Sequence, residues 1–208
     1  MTTIRIATPV GEAHVELEVK AGASTLLVIG HGAGGSVDSA DLLAVRDCCL
    51  LAGIGVARVT QPYRVAGRKA PPAAPILDQA WAAVIAGLGR RKAVKDLEFI
   101  YAGRSSGARV ACRTAADPAL APAAKAVVAI AFPEHPPGRP DKSRLPELDG
   151  TGVPTLVVQG LSDPFGMPPP APGRTVRQVP GDHSLKRSAG LVGELVAQWL
   201  LEPSWGGR

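Results

Sequence analysis

The stretch Leu97-Glu98-Phe99-Ile100-Tyr101-Ala102-Gly103-Arg104-Ser105-Ser106-Gly107 decides the fold of this chain. Its mostly apolar first part, residues 97–102, predicts a buried strand, and the alanine-rich residues 108–116 predict a helix. The pattern Gly103-x-Ser105-x-Gly107 between them is typical of a nucleophile elbow, a tight strand-to-helix turn that projects a serine hydroxyl. The flanking positions take glycine because larger side chains would clash there. The alternative is a glycine–serine turn that only caps the helix, so the surrounding sequence has to decide.

Short apolar runs alternate with helical segments on both sides of this stretch. Further strands are predicted at residues 4–7, 14–19, 26–29, 55–60, 125–131, 154–159 and 175–179. Further helices are predicted at residues 36–51, 76–88 and 189–201, with Asp38 or Ser39 as the cap of the first. Residues 61–75 are basic and proline-rich and are predicted to form a loop. This alternation predicts an α/β fold with a mainly parallel central sheet and helices on both faces. We expect one domain over residues 1–202 and a frayed tail over residues 203–208.

A glycine-rich loop, His31-Gly32-Ala33-Gly34-Gly35, follows the third predicted strand. Acyl transfer passes through a tetrahedral oxyanion, which needs fixed N–H donors. A loop with few side chains brings backbone N–H groups close, so Gly32 or Ala33 is expected to supply one donor. The residue after the nucleophile, Ser106, is expected to supply the other. His31 itself is interpreted as a structural residue that holds the loop.

The acid and the base are expected after the nucleophile, in the order Asp or Glu, then His. Asp163 lies in the loop after the predicted strand at residues 154–159, and His183 lies in the loop after the last strand. The alternative base is His135, in a polar, proline-rich segment. The alternative acid is Asp182, although adjacent side chains point apart, so it is poorly placed to orient the ring of His183.

Four segments together resemble one family, the compact α/β-hydrolases related to dienelactone hydrolase. These segments are residues 30–35, 103–109, 132–138 (Phe-Pro-Glu-His-Pro-Pro-Gly) and 181–185. The resemblance spans residues 25–200 and implies the α/β-hydrolase fold without a lid domain, a Ser105–Asp163–His183 triad, and neither a cofactor nor a metal. Dienelactone hydrolase uses a cysteine nucleophile, whereas this chain has Ser105. The resemblance therefore implies a serine hydrolase, and it gives the class of chemistry but not the substrate. For the substrate we expect small soluble esters or related acyl compounds.

Two other functions compete with this interpretation. The pattern Gly30-x-Gly32-x-x-Gly35 matches a dinucleotide-binding fingerprint, which also needs an acidic residue about 20 positions later. No Asp or Glu occurs from Leu50 to Leu77, although Arg58 or Arg64 would suit a 2′-phosphate. The second competitor is a scaffold that keeps the fold without catalysis, because a fold does not imply a function.

The composition favours a small-molecule enzyme over other classes. The chain has 208 residues, 46% hydrophobic and 20% charged, and a net charge of +5 with Lys and Arg scattered along it. We therefore expect no nucleic-acid partner. The longest apolar run, residues 126–132, is far too short to span a membrane. Three cysteines without framework spacing, together with an N-terminus that lacks a signal region, predict a cytoplasmic protein. None of these features indicates whether the protein is a monomer or an oligomer.

The composition of residues 132–153, which connect the predicted strands at 125–131 and 154–159, indicates which acyl chain lengths the site accepts. This connector holds five prolines and seven charged residues, so it lacks the apolar stripe of an amphipathic lid helix. We therefore expect a preference for short acyl groups. Arg104 and Arg109 flank the elbow, where a cation would favour acidic substrates. The alternative for Arg109 is a pairing with a carboxylate of a neighbouring helix.

Overall fold

The computed structural model of the protein describes residues 1–202, and in this part of the chain eight strands form one sheet. The strands are β1 (Thr2–Thr8), β2 (Gly11–Glu18), β3 (Thr25–Gly30), β4 (Gly55–Thr60), β5 (Glu98–Arg104), β6 (Ala124–Ile130), β7 (Thr155–Gly160) and β8 (Arg174–Val179). The helices are α1 (Ala40–Leu51), α2 (Pro62–Val65), α3 (Ala74–Gly89), α4 (Ser106–Ala115), α5 (Leu145–Asp149) and α6 (Ala189–Leu201), with a 3₁₀ turn at Lys186–Ser188 before α6.

The strand order is β1-β2-β4-β3-β5-β6-β7-β8. Strands β1 and β2 form a hairpin, β2 pairs antiparallel with β4, and all the remaining pairs are parallel. Gly30 of β3 lies opposite Gly103 of β5, and Arg104 of β5 lies opposite Ile130 of β6. The loops that follow these three strands therefore leave the sheet at the same edge, where open α/β sheets bind ligands.

Each face of the sheet is covered by helices. Alternate residues of β3 show this: Leu26 and Val28 pack into the core beneath α3 and α4, whereas Leu27 and Ile29 pack beneath α1 and α6. All six residues of β3 are buried, as expected for a parallel strand covered on both sides. The predicted α/β fold with helices on both faces is confirmed.

Three of the four predicted helix starts differ from the structure by two to four residues, whereas α6 begins at Ala189 as predicted. Helix α1 begins at Ala40, not residue 36, because Ser36 and Asp38 bond to each other in the preceding turn. Ser39 is at the N-cap position, but its side chain forms no capping hydrogen bond. The elbow helix α4 begins at Ser106, not residue 108.

Residues 61–75 were expected to form a loop, but they contain α2 and the start of α3. The reason is that Pro62 opens α2 and Pro75 lies in the first turn of α3, and proline favours the first turn of a helix.

The connector between β6 and β7 carries a short helix and no lid domain among its described residues. Helix α5 has five residues, of which Leu148 is buried, and its Glu147 is paired with arginines of α4. No helix in residues 1–202 is both long and apolar enough to cross a bilayer. The single domain over residues 1–202 stays a prediction, and the predicted tail at residues 203–208 lies outside the described residues.

Candidate active site

Ser105 occupies a sharp turn between β5 and α4. Its backbone has φ of 51° and ψ of −112°, a left-handed conformation that residues with a Cβ rarely adopt. The Ser105 N–H donates a hydrogen bond of 2.8 Å to the Ile130 carbonyl, and its own carbonyl accepts one of 3.2 Å from the Arg109 N–H. Its side chain forms no capping hydrogen bond to α4. Ser105 is therefore at the N-cap position of α4 but does not cap the helix through its side chain.

The two glycines of the elbow are required by close backbone contacts. A Cβ on Gly103 would lie 2.2 Å from the carbonyl carbon of Gly107. A Cβ on Gly107 would lie 2.7 Å from the carbonyl oxygens of both Gly30 and His31. Real Cβ atoms do not approach backbone this closely, so α4 packs against β5 and against the oxyanion loop (residues 31–35) only because both positions are glycine.

His183 links Ser105 to Asp163 through a row of hydrogen bonds. The His183 Nε2 atom lies 2.9 Å from Ser105 Oγ, and its Nδ1 atom lies 2.8 Å from Asp163 Oδ2. A carboxylate only accepts hydrogen bonds, so Nδ1 carries the ring proton and Nε2 is free to accept from the serine hydroxyl. The structure thus brings together the three residues expected as nucleophile, base and acid.

The Asp163 carboxylate is fully buried and held on both oxygens. Its Oδ1 accepts from the Phe165 N–H at 2.9 Å, and its Oδ2 also accepts from Gln159 Nε2 at 2.9 Å. The Phe165 ring packs on the His183 ring, with centroids 4.2 Å apart. Neither Gln159 nor Phe165 was expected at the site from the sequence. The available signal was Gln159 itself, a polar residue within an apolar strand, four positions before the acid.

The two alternative residues have other partners. Asp182 is an exposed carboxylate whose Oδ1 accepts from both the N–H and the hydroxyl of Ser184, and these hydrogen bonds lower its pKa. His135 donates its backbone N–H to the Phe165 carbonyl, and its Nδ1 atom lies 2.9 Å from the Pro136 carbonyl. Among residues 1–202, neither side chain forms a hydrogen bond with the side chain of Ser105 or of His183.

The oxyanion loop is fixed by His31 and Tyr63. His31 Nε2 accepts from the Gln61 N–H at 3.1 Å, so Nδ1 is protonated and donates to the Gly32 carbonyl at 2.8 Å. Burial lowers the pKa of His31, which keeps the ring neutral. The Tyr63 hydroxyl donates to the Ala33 carbonyl at 2.6 Å. His31 thus has the structural contacts expected of it, whereas Tyr63 was missed because it lies in a segment predicted as loop.

The segments that hold the three predicted oxyanion donors lie next to Ser105. The Gly32 carbonyl is turned toward His31, so the Ala33 N–H, in the same trans peptide, points the opposite way. That N–H forms no hydrogen bond within residues 1–202. Ser106 is the first residue of α4, where N–H groups lack intrahelical partners. A Cβ on Gly32 would lie 3.5 Å from Ser105 Cβ, so the loop lies directly against the serine.

Two arginines that flank the elbow are neutralised within the protein. Arg104 donates from Nε to the buried carboxylate of Asp41 at 2.8 Å, and from its terminal nitrogen to the His183 carbonyl at 2.7 Å. Arg109 forms a two-point ion pair with Glu147 of α5. Arg109 therefore pairs with a carboxylate of a neighbouring helix, which was the alternative to a role in the site. Arg104 connects the loop that carries His183 to α1.

The structure does not provide the context of a dinucleotide site at the glycine-rich loop. Such a fingerprint opens a helix directly, whereas α1 begins only at Ala40. Arg58 is 2% exposed and pairs with Glu16 and Asp38. Arg64 donates to the Arg68 carbonyl.

The chain is similar in sequence and structure to known hydrolases. The family described as alpha/beta hydrolase domain matches residues 23–189. Among solved structures, an alpha-beta serine hydrolase homologue from Coxiella burnetii is 17% identical with a TM-score of 0.73, covering 96% of this chain and 97% of that one. Dienelactone hydrolase from Anabaena variabilis is 18% identical with a TM-score of 0.74, covering 96% of each chain.

A lid-less serine hydrolase from Xanthomonas campestris is 21% identical with a TM-score of 0.70, covering 97% of this chain and 95% of that one. At these identities the likeness shows the fold. No curated protein matches this chain significantly in sequence.

Proposed function

Because this chain belongs to the α/β-hydrolase domain family, we propose that it is a serine hydrolase that cleaves small esters or related acyl compounds through a covalent intermediate on Ser105. The observation that carries the proposal is the unbroken hydrogen-bonded row from Ser105 through His183 to Asp163. A serine hydroxyl is a weak nucleophile, and an adjacent base held in the correct tautomer is what activates it.

In the first step, Ser105 Oγ attacks the ester carbonyl carbon while His183 Nε2 takes the hydroxyl proton. Asp163 accepts from Nδ1 throughout and stabilises the imidazolium that forms. Its own hydrogen bonds from Gln159 and Phe165 hold it in this orientation. The carbonyl oxygen becomes an oxyanion, which accepts hydrogen bonds from the N–H groups of Gly32 or Ala33 and of Ser106.

In the second step, the tetrahedral intermediate collapses and the alcohol leaves with the proton from His183. A water molecule then attacks the acyl-enzyme, His183 takes a proton from that water, and the acid is released with Ser105 restored. The whole cycle consumes one water and yields one alcohol and one acid. None of these steps calls for a cofactor.

Two observations support small substrates and a cytoplasmic location. No lid domain covers the site in the described residues, so little apolar surface is available for a long chain. All three cysteines are free, and both Cys49 and Cys112 are buried, which suits a reducing compartment. Burial raises the pKa of Cys49 to about 12, so this thiol is no competing nucleophile.

A fluorophosphonate probe tests the proposal, because it forms a stable adduct only with an activated serine. We expect one adduct per chain, located at Ser105 by peptide mass spectrometry, and none in Ser105→Ala. Ser143→Ala, which changes an exposed serine of the connector, should be labelled like the wild type. An unlabelled wild-type protein would favour the non-catalytic scaffold, and a labelled Ser105→Ala would show that the wrong serine was chosen.

A further inference from the structure

A small cavity lies beside the oxyanion loop, on the sheet face that carries α3 and α4. Its walls include His31, Ser106, Leu77 and Val110, and its volume is about 10 Å³, which is room for one water-sized group. His31 begins the oxyanion loop and Ser106 begins α4. The cavity therefore starts at both segments that flank the proposed oxyanion hole.

Two buried polar atoms belong to residues that line this cavity and have no hydrogen-bond partner in residues 1–202. They are Gln61 Oε1, an acceptor, and Trp81 Nε1, a donor. Gln61 is 5% exposed and Trp81 is fully buried. Buried polar groups are nearly always paired, so an unpaired donor and an unpaired acceptor around one cavity point to a missing partner.

The required partner has defined chemistry. It has to donate to Gln61 Oε1, accept from Trp81 Nε1–H, and be the size of a single heavy atom. A hydroxyl meets all three conditions. A methyl group would leave both atoms unpaired, and a carboxylate would place an acceptor against the acceptor of Gln61.

We propose that this cavity is a subsite for a hydroxyl on the acyl group of the substrate. The preferred substrates are then esters of short hydroxy acids, and a water fills the subsite when no substrate is bound. This inference rests on the proposed function, because an acyl group held at Ser105 with its carbonyl oxygen in the oxyanion hole is what brings a short acyl chain to this cavity.

Matched pairs of methyl esters test the inference, with acid release followed by titration at constant pH. Methyl glycolate is compared with methyl methoxyacetate, which withdraws electrons similarly but cannot donate a hydrogen bond. Methyl 3-hydroxybutyrate is compared with methyl butyrate. We expect kcat/KM to favour the hydroxylated ester about tenfold or more in the pair whose hydroxyl reaches the cavity. Ratios within twofold of one in both pairs would overturn the inference.

Variants of Trp81 and Gln61 test whether the preference for hydroxylated esters depends on the cavity. In Trp81→Phe and in Gln61→Met, the ratio of kcat/KM for the hydroxylated ester to kcat/KM for its matched partner should fall toward one. Each substitution removes one of the two unpaired polar atoms. The ratio cancels any loss common to both esters, and each variant decides alone if the other fails to fold. Trp199→Phe is the matched control, since Trp199 packs on the opposite face of the sheet. A ratio that persists in the folded cavity variants would also overturn the inference.

The outcomes separate this inference from the proposed function. Ser105-dependent hydrolysis of methyl acetate without any hydroxyl preference would overturn the inference and leave the serine hydrolase intact. Failure to hydrolyse every ester, including methyl acetate, would overturn both.

Discussion

Three non-glycine residues have a positive φ among residues 1–202, and all three adjoin the candidate site. They are Ser105, Ala131 directly after β6, and Leu185 two residues after His183. Such conformations cost about 1–3 kcal/mol each and persist only where the surroundings hold them. Here the N–H groups of all three donate to carbonyls, of Ile130, Val158 and Asp182 respectively. The local strain therefore coincides with the residues that position the proposed nucleophile and base.

The hydrogen bonds from Ser105 through His183 to Asp163 predict that substitutions of these three residues lower kcat/KM by different amounts. His183→Ala should lower kcat/KM on an activated ester by at least about a thousandfold, nearly as much as Ser105→Ala, since members of a triad act as a unit. Asp163→Asn should cost about ten to a hundredfold less, because loss of the acid alone leaves the nucleophile and the base in place. A loss is still expected, since the NH₂ group of asparagine puts a donor against either the Nδ1–H of His183 or the N–H of Phe165.

Steady-state kinetics with p-nitrophenyl acetate measure these losses. The double variant of Ser105 and His183 should be little worse than either single variant. Additive losses would mean that the two side chains act independently.

His31 makes the stability depend on pH. Burial holds its pKa below the ordinary value of 6.5, so below about pH 6.5 the unfolded chain binds a proton that the folded chain resists. The His31 contribution to the free energy of unfolding should therefore be full above pH 6.5 and decrease on acidification, by at most about 1.4 kcal/mol per pH unit.

Urea unfolding of the wild type and His31→Gln between pH 7.5 and 5 measures this effect. The stability difference between the two proteins should narrow as the pH falls. A difference that stays constant over this range would contradict the buried neutral ring.

At the level of elements, the elbow works because β5, α4 and the oxyanion loop are packed backbone against backbone. Gly107 is in the first turn of α4, and its Cα faces the carbonyls of Gly30 and His31. Arg104 adds a second connection from the end of β5 to α1 and to the His183 loop. A shift of α4 would therefore move the nucleophile and the oxyanion donors together.

Gly107→Ala should separate these elements. Its Cβ would meet two carbonyl oxygens at 2.7 Å, so we expect a loss of about 1–3 kcal/mol in the free energy of unfolding and slower fluorophosphonate labelling. The matched control is Gly190→Ala in α6, where a Cβ meets nothing within 4 Å. That change should stabilise the protein by about 0.5–1 kcal/mol, because alanine favours a helix over glycine. Equal effects of the two substitutions would contradict the packing argument.

At the scale of the whole molecule, the site lies at the edge of the sheet, and the connector between β6 and β7 has few apolar residues. Leu148 is the buried residue of α5, and this helix is turned toward α4 by the pairing of Glu147 with Arg109 and Arg113. A lid helix over a lipid site needs a broad apolar stripe, which five residues with two carboxylates do not provide. The cavity beside the loop takes a single small group.

The specificity constant should therefore peak at acyl groups of roughly two to four carbons. Each further methylene that stays in water forgoes about 0.8 kcal/mol of transfer free energy, so longer chains gain nothing in the transition state. A series of p-nitrophenyl esters kept below their micelle concentrations measures the profile. A specificity constant that keeps rising through the eight- and ten-carbon esters would reveal an apolar channel and contradict this account.

The sequence by itself determined the fold class and the candidate triad residues, because both depend on short-range patterns. The buried strand before Gly103 and the helix after Gly107 leave Ser105 in a turn that only glycines permit. Parallel strands place their following loops at one edge, so Asp163 and His183 were expected near Ser105 from chain order alone. Whether these residues catalyse hydrolysis stays a prediction.

The tertiary structure alone decided which residues support that site. Tyr63 holds the Ala33 carbonyl from 30 positions away, and Arg104 reaches Asp41 and His183 across 63 and 79 positions. No local pattern encodes such contacts, since they exist only after the strands are ordered and the helices are packed. The cavity between Gln61 and Trp81 is of the same kind. Gln61 precedes α2 and Trp81 lies in α3, and packing buries the two side chains beside one cavity and leaves each with one unpaired polar atom.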